Sequence, residues 1–153
     1  MSALKDRLRD DLNSALKARD ALRTSVIRMA LAAITNAEVA GKEARELTDE
    51  DVVGVLSSEA KKRRESATAF DEGGRPELAQ KERDEAAILA DYLPEALSEE
   101  EIAAIIDEAI EQTGAAGEGM KAMGKVMGIV TARTKGRADG GAVAAEVRRR
   151  LSS

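Results

Sequence analysis

The chain has no cysteine, no histidine and no tryptophan, and its 153 residues include one tyrosine, one phenylalanine and two prolines. Each absence removes a class of function. Without cysteine there is no disulfide and no thiolate chemistry. Without histidine there is no Ser-His-Asp or Cys-His nucleophile pair, and no zinc site built from His and Cys. The two aromatics are Phe70 and Tyr92, so no aromatic after position 92 is available to stack on a nucleobase. No apolar run approaches the roughly 20 residues of a membrane span. The opening MSALKDRLRDDL is too polar for the apolar region of a secretory signal. A cytoplasmic protein with no membrane partner is the expectation.

What is present favours helices. Hydrophobic residues make up 43% of the chain and aromatics 1%, and alanine is abundant. Strands would call for more β-branched and aromatic residues. The expected fold class is therefore all-α. Alanine buries little area, so Leu, Ile, Val and Met must carry the core, each fully buried side chain contributing about 1.5–3 kcal/mol.

Leu4, Leu8, Leu12, Ala15 and Leu16 recur at helical spacing, as do Leu22, Val26, Met29, Ala30, Ala33, Ile34 and Ala37. These predict two helices or one long bent one. Thr48 with Asp51 reads as a capping box opening a third helix, whose inner stripe would hold Val52, Leu56, Glu59, Arg63, Ala67 and Phe70. Gly73 and Gly74 end it, and Pro76 suits the first position of a fourth. Pro94 breaks the pattern. Ser98 with Glu101 then opens a helix carrying Ile102, Ile105, Ile106, Ala109 and Ile110. A sixth helix should show Met120, Met123, Val126, Met127 and Val130 on one side and stop near Gly136. Asp139 can cap a seventh with Val143, Val147 and Leu151 inward. The architecture expected is a bundle of about four helices over residues 1–93, a hinge at Pro94, and a three-helix domain over 94–153.

The net charge of -5 hides an uneven distribution. From Pro94 to Glu118 there are eight acidic residues and no cation, whereas from Gly119 to Ser153 there are eight cations against Asp139 and Glu146. These helices can pair through complementary faces, or the cations can form an outward stripe that meets phosphates. The stretch MGKVMGIVTARTKGRADGG, residues 123–141, combines two glycines at helical spacing, an apolar stripe, four cations and a glycine-rich stop.

That stretch and its continuation AVAAEVRRRL resemble the GatB/YqeY family, named for the C-terminal tail of the B subunit of the tRNA-dependent aspartyl/glutamyl amidotransferase and for small free-standing proteins that share it. RDALRTSVIRMALAAI, AKKRRESATAFDEGGRPELAQKERDE and YLPEALSEEE agree with the free-standing branch. The resemblance covers nearly the whole chain. In the full enzyme this tail is a helical domain that contacts tRNA, while catalysis lies in other domains and subunits with no counterpart here. It implies a role for Gly124, Gly128, Lys135, Gly136 and the helix from Ala142 to Leu151.

The candidate RNA-binding residues are Lys125, Arg133, Lys135, Gly136, Arg137 and Arg148, with Gly124 and Gly128 as points of close approach. Each glycine costs roughly 1 kcal/mol relative to alanine inside a helix, so something should compensate. Packing of the fifth or seventh helix against them is the favoured reading; a phosphodiester backbone or a partner helix is the other. Asp139 as a cap would occupy the donors at the start of the seventh helix and repel an anion there, leaving any binding to the cations. Recognition would be of backbone and shape, as for folded RNA, with no DNA expected. The run Lys61 to Arg64 reads as a solvated helix face.

Ser58 and Lys61 match an S-x-x-K pattern without its companion elements. The acidic triplets Asp49–Asp51 and Glu99–Glu101 sit where first-turn carboxylates favour the helix dipole, so they imply no metal, and nothing points to a cofactor. No base, nucleophile and oxyanion donors converge. A non-catalytic module binding tRNA or other structured RNA is expected. The rivals are a protein-interaction adaptor in translation or metabolism and an accessory of a carbon-nitrogen ligase using glutamine as amido donor.

Overall fold

The computed structural model describes residues 2–152, which contain seven α-helices, one 3-10 turn and no strand. The chain divides into two compact units, Met1–Leu93 and Pro94–Ser153. No helix among the described residues is long and apolar enough to cross a membrane.

The first unit holds α1 (Ala3–Ala18), α2 (Ala21–Glu38), α3 (Asp49–Glu72) and α4 (Pro76–Ala90). The first two are separate helices. Arg19 enters the left-handed region at φ 57°, and the Asp20 carboxylate accepts from the Arg23 N–H at 3.1 Å to start α2. The capping box of α3 forms as expected, with Thr48 and Asp51 exchanging bonds. Asp49 instead serves α1, accepting from the Leu4 N–H at 3.2 Å and from the Ser2 hydroxyl. Those bonds, Ser2 first, hold its carboxyl below the usual range.

The core joins Leu8, Ile27, Ile34, Leu47, Leu56 and Leu89, all at most 2% exposed. Two expected core positions lie outside it: Leu16 is 44% exposed and Met29 42%, while Ile27 and Thr24 are buried instead. The apolar stripe of α2 is broad, so its period alone does not say which edge meets α1. Tyr92 is buried and donates its hydroxyl to Asp11, with the Arg7 guanidinium 4.6 Å from its ring centre. Burial, then that carboxylate, raises the phenol well above its ordinary pKa.

The inner stripe of α3 does include Arg63. Its Nε lies 3.0 Å from Glu85 Oε2 on α4 and its Nη1 3.6 Å from Glu59 Oε2, with the Arg63 and Glu85 side chains 11% and 10% exposed. Lys62 lies outside, 3.4 Å from Glu59.

The second unit holds α5 (Glu99–Thr113), a 3-10 turn (Gly119–Ala122), α6 (Met123–Thr134) and α7 (Gly140–Ser152). Ser98 caps α5 by accepting from the Glu101 N–H at 3.1 Å, and Gly114 ends it at φ 66°. Ile106, Ala109, Val126, Val130, Val143 and Val147 form the core. Met120, expected on the inner side of the sixth helix, is 46% exposed. The 3-10 turn advances by about 120° per residue rather than 100°, which rotates Met120 off the apolar stripe.

Candidate functional site

The geometry of α6 follows from where its core residues fall. Ala122, Val126, Val130 and Thr134, four apart, are all buried. A position two residues away on a helix lies about 200° round, nearly opposite. Gly124 and Gly128 therefore face solvent together with Thr131 and Lys135, and Lys121 in the preceding turn is exposed as well. A Cβ built on Gly124 or Gly128 meets nothing within 4 Å. The expected packing of α5 or α7 against these glycines is thus not found. Both helices take the Val126 and Val130 side, because that side carries the apolar area.

Neither glycine adopts a positive φ, so the fold itself does not require glycine at either place. Changing Gly124 and Gly128 to alanine is expected to stabilise the unit by about 0.5–1 kcal/mol each, read from the helical circular dichroism signal in urea.

The eight cations of this unit divide into two groups. Arg133 Nη1 lies 2.6 Å from Glu108 of α5, and Arg150 pairs with Asp107 of α5 and, at 3.0 Å, with Glu146 of its own helix. Arg149 Nε donates to Glu146 at 2.9 Å. Arg137 is half-buried: its Nε donates to the Glu95 carbonyl at 3.1 Å, and its own carbonyl accepts from the Leu97 N–H at 2.8 Å. Gly136, at φ 77°, turns the chain out of α6 so that Arg137 reaches the 95–97 segment. By contrast Lys121, Lys125, Lys135 and Arg148 are exposed and form no ion pair among the described residues.

Charge complementarity between helices and an outward set of cations therefore coexist. Lys121, Gly124, Gly128 and Lys135 share one face of the 3-10 turn and α6, with Lys125 on its flank. Arg148 belongs to the adjoining edge: Ser152 donates to the Arg148 carbonyl at 2.7 Å while its hydroxyl lies 3.6 Å from Met120 Sδ. Lys121 is absent from the contacts expected from the residues alone. The spacing 121, 124, 128, 135 carries the signal for it, and the change from 3-10 to α geometry between them obscures that signal.

The start of α7 is not open to an anion. The Asp139 carboxylate accepts from the Ala142 N–H at 3.3 Å, as expected of a cap. Further along α7, hydrogen bonds from Arg149 and then Arg150 bring the Glu146 carboxyl down to about pKa 2. A depressed folded value means a stabilising contribution fully present above the ordinary value of 4.5 and lost as pH falls through about 2. Carboxyl-carbon NMR should show Glu146 ionised down to about pH 2, and Arg149→Ala should move its midpoint up towards the ordinary value.

A family model described as Yqey-like protein matches residues 5–151, and the chain belongs to that family. The chain is also similar to the E subunit of the glutamyl-tRNA(Gln) amidotransferase of Thermococcus gammatolerans, with 47% identity over 57 residues, which is 36% of this chain and 9% of that protein. The chain is thus related to an amidotransferase component while matching a small part of its length.

Proposed function

We propose that the unit 94–153 binds folded RNA of the tRNA kind through the outward face of α6. The observation that carries this reading is the coincidence of Gly124 and Gly128, open to solvent, with four exposed cations that form no ion pair among the described residues. A bare helix backbone lets a phosphodiester chain come closer than any side chain would, and Lys121, Lys125, Lys135 and Arg148 supply charge around it. No aromatic is available for stacking, so the contact is with backbone and shape. The similarity to a protein named for glutamyl-tRNA(Gln) makes tRNA the first RNA to examine. Arg133 and Arg137, engaged with Glu108 and with the Glu95 carbonyl, act in this reading as internal braces.

Four phosphate contacts release about three counterions, so affinity should fall roughly 50- to 150-fold between 50 and 200 mM salt. The test is binding of the purified protein to unmodified tRNA across that series, with a DNA duplex of equal length alongside. Loss of the steep salt slope, or equal affinity for the duplex, would count against the proposal. A partner helix is the second body that two glycines four apart admit. Binding to protein without any to RNA at low salt would favour it.

A further inference from the structure

A second surface of the same unit has the opposite character. The start of α5 and one side of α7 line a groove of about 540 Å³, with Ile102, Ala103, Ala142 and Val143 along it and Glu99 and Glu100 from the first turn of α5. The remaining polar lining is Asp139, Glu146 and Arg149, giving four carboxylates against one guanidinium. Two of these carboxylates are already engaged: Asp139 accepts from the Ala142 N–H, and Glu146 is bonded by Arg149 and Arg150. Glu99 and Glu100 are exposed and form no ion pair among the described residues. An aliphatic trough thus lies beside two carboxylates that face the helix N-terminus but have no side-chain cation as partner among the described residues.

This combination selects its occupant. A phosphate chain is repelled by the carboxylates, and a purely apolar segment would leave them unmatched at the edge of a newly dried surface. A Lys or Arg side chain suits both parts, laying its methylene stem on Ile102 and Ala142 and carrying its charge to Glu99 or Glu100. A groove between two helices also accepts one face of a third. We infer that the α5–α7 groove docks a basic amphipathic helix of a partner protein, with Leu- or Met-like side chains in the trough and cations on Glu99 and Glu100. The inference is independent of RNA binding, since none of the residues that line the groove is among the outward cations Lys121, Lys125, Lys135 and Arg148.

The test uses the full chain, isotope-labelled, and a synthetic helix-forming peptide of Leu and Lys in amphipathic register, with the same peptide carrying Glu for Lys as its counterpart. Amide shifts are expected to be confined to residues 99–103 of α5 and 139–149 at and along α7, and the Glu peptide to leave them unmoved. Glu99→Gln with Glu100→Gln should weaken binding about tenfold, as loss of two exposed ion pairs allows. Ala142→Gln, at an exposed position, should weaken it by filling the trough while the fold persists. Four results would overturn the inference: no binding, shifts scattered over the acidic surface, affinity unchanged by these substitutions, or a concentration-dependent dimer that protects the same amides, which would make a second copy the occupant.

Discussion

Lys125→Glu with Lys135→Glu is expected to lower affinity for tRNA about 100-fold at low salt, near 3 kcal/mol, if each lysine makes one charge-assisted contact of about 1.5 kcal/mol. Alanine at the same two places should reduce the salt slope by about two. The choice of residues comes from the structure: Lys135 and Arg137 are near neighbours in sequence, but only Lys135 is exposed without an ion-pair partner among the described residues, whereas Arg137 holds the Glu95 carbonyl. Arg137→Ala should therefore disturb the 95–97 segment and leave the slope nearly unchanged. Gly124→Ala with Gly128→Ala provides a sharper separation, because the doubly changed protein should be more stable and yet bind less. A variant that is more stable with undiminished affinity would remove the glycines from the interface, and charge reversal without effect would remove the RNA reading itself.

Arg63→Ala is expected to destabilise the first unit by about 3 kcal/mol, the size of effect seen when one partner of a buried pair is removed. Its guanidinium lies between Glu59 and Glu85, with the Glu85 side chain 10% exposed, so alanine leaves Glu85 at an apolar interface without its cation and Glu59 with Lys62 as its remaining partner. Lys62→Ala, next to it in sequence and 3.4 Å from Glu59 on the exposed side, should change stability by less than about 0.5 kcal/mol. The chain has a single tyrosine, Tyr92, buried in this unit, so its fluorescence in a urea titration reports the unit by itself. Equal effects of the two substitutions would return the run Lys61 to Arg64 to a uniformly solvated face. Replacing Arg63, Glu59 and Glu85 together by apolar residues of similar volume should recover much of the loss, since the ions are then removed rather than orphaned.

Features set within one helical turn were legible in the residues. The Thr48 and Asp51 box, Ser98 on the Glu101 N–H, Pro76 at the first position of α4 and Asp139 on the Ala142 N–H all form as read. The three caps depend on donors and acceptors at most three residues apart, whose geometry any helix start supplies, and Pro76 on a fixed φ and a missing N–H that the first helical position tolerates. The apolar spacing likewise determined that α5, α6 and α7 would be helices with Ile106, Val126 and Val147 inward. It went astray at Leu16, in the last turn of α1, and at Met29 and Met120, where a broad stripe and a 3-10 turn shifted the phase of the buried side.

The all-α class, the caps, the absence of histidine and cysteine chemistry, and the contrast between an acidic and a basic stretch of the second unit belong to the sequence by itself. Which cations are left over belongs to the tertiary structure. Arg133 and Lys125 carry the same charge in the same helix, and only the position of α5 beside one of them pairs Arg133 with Glu108 and leaves Lys125 without an ion-pair partner among the described residues. Tertiary packing likewise decides the place of Gly124 and Gly128, whose spacing suits a packed helix equally well. They face solvent because the apolar residues on the opposite side of α6 drew α5 and α7 there, and burial of that area outweighs what contact with two glycines could return.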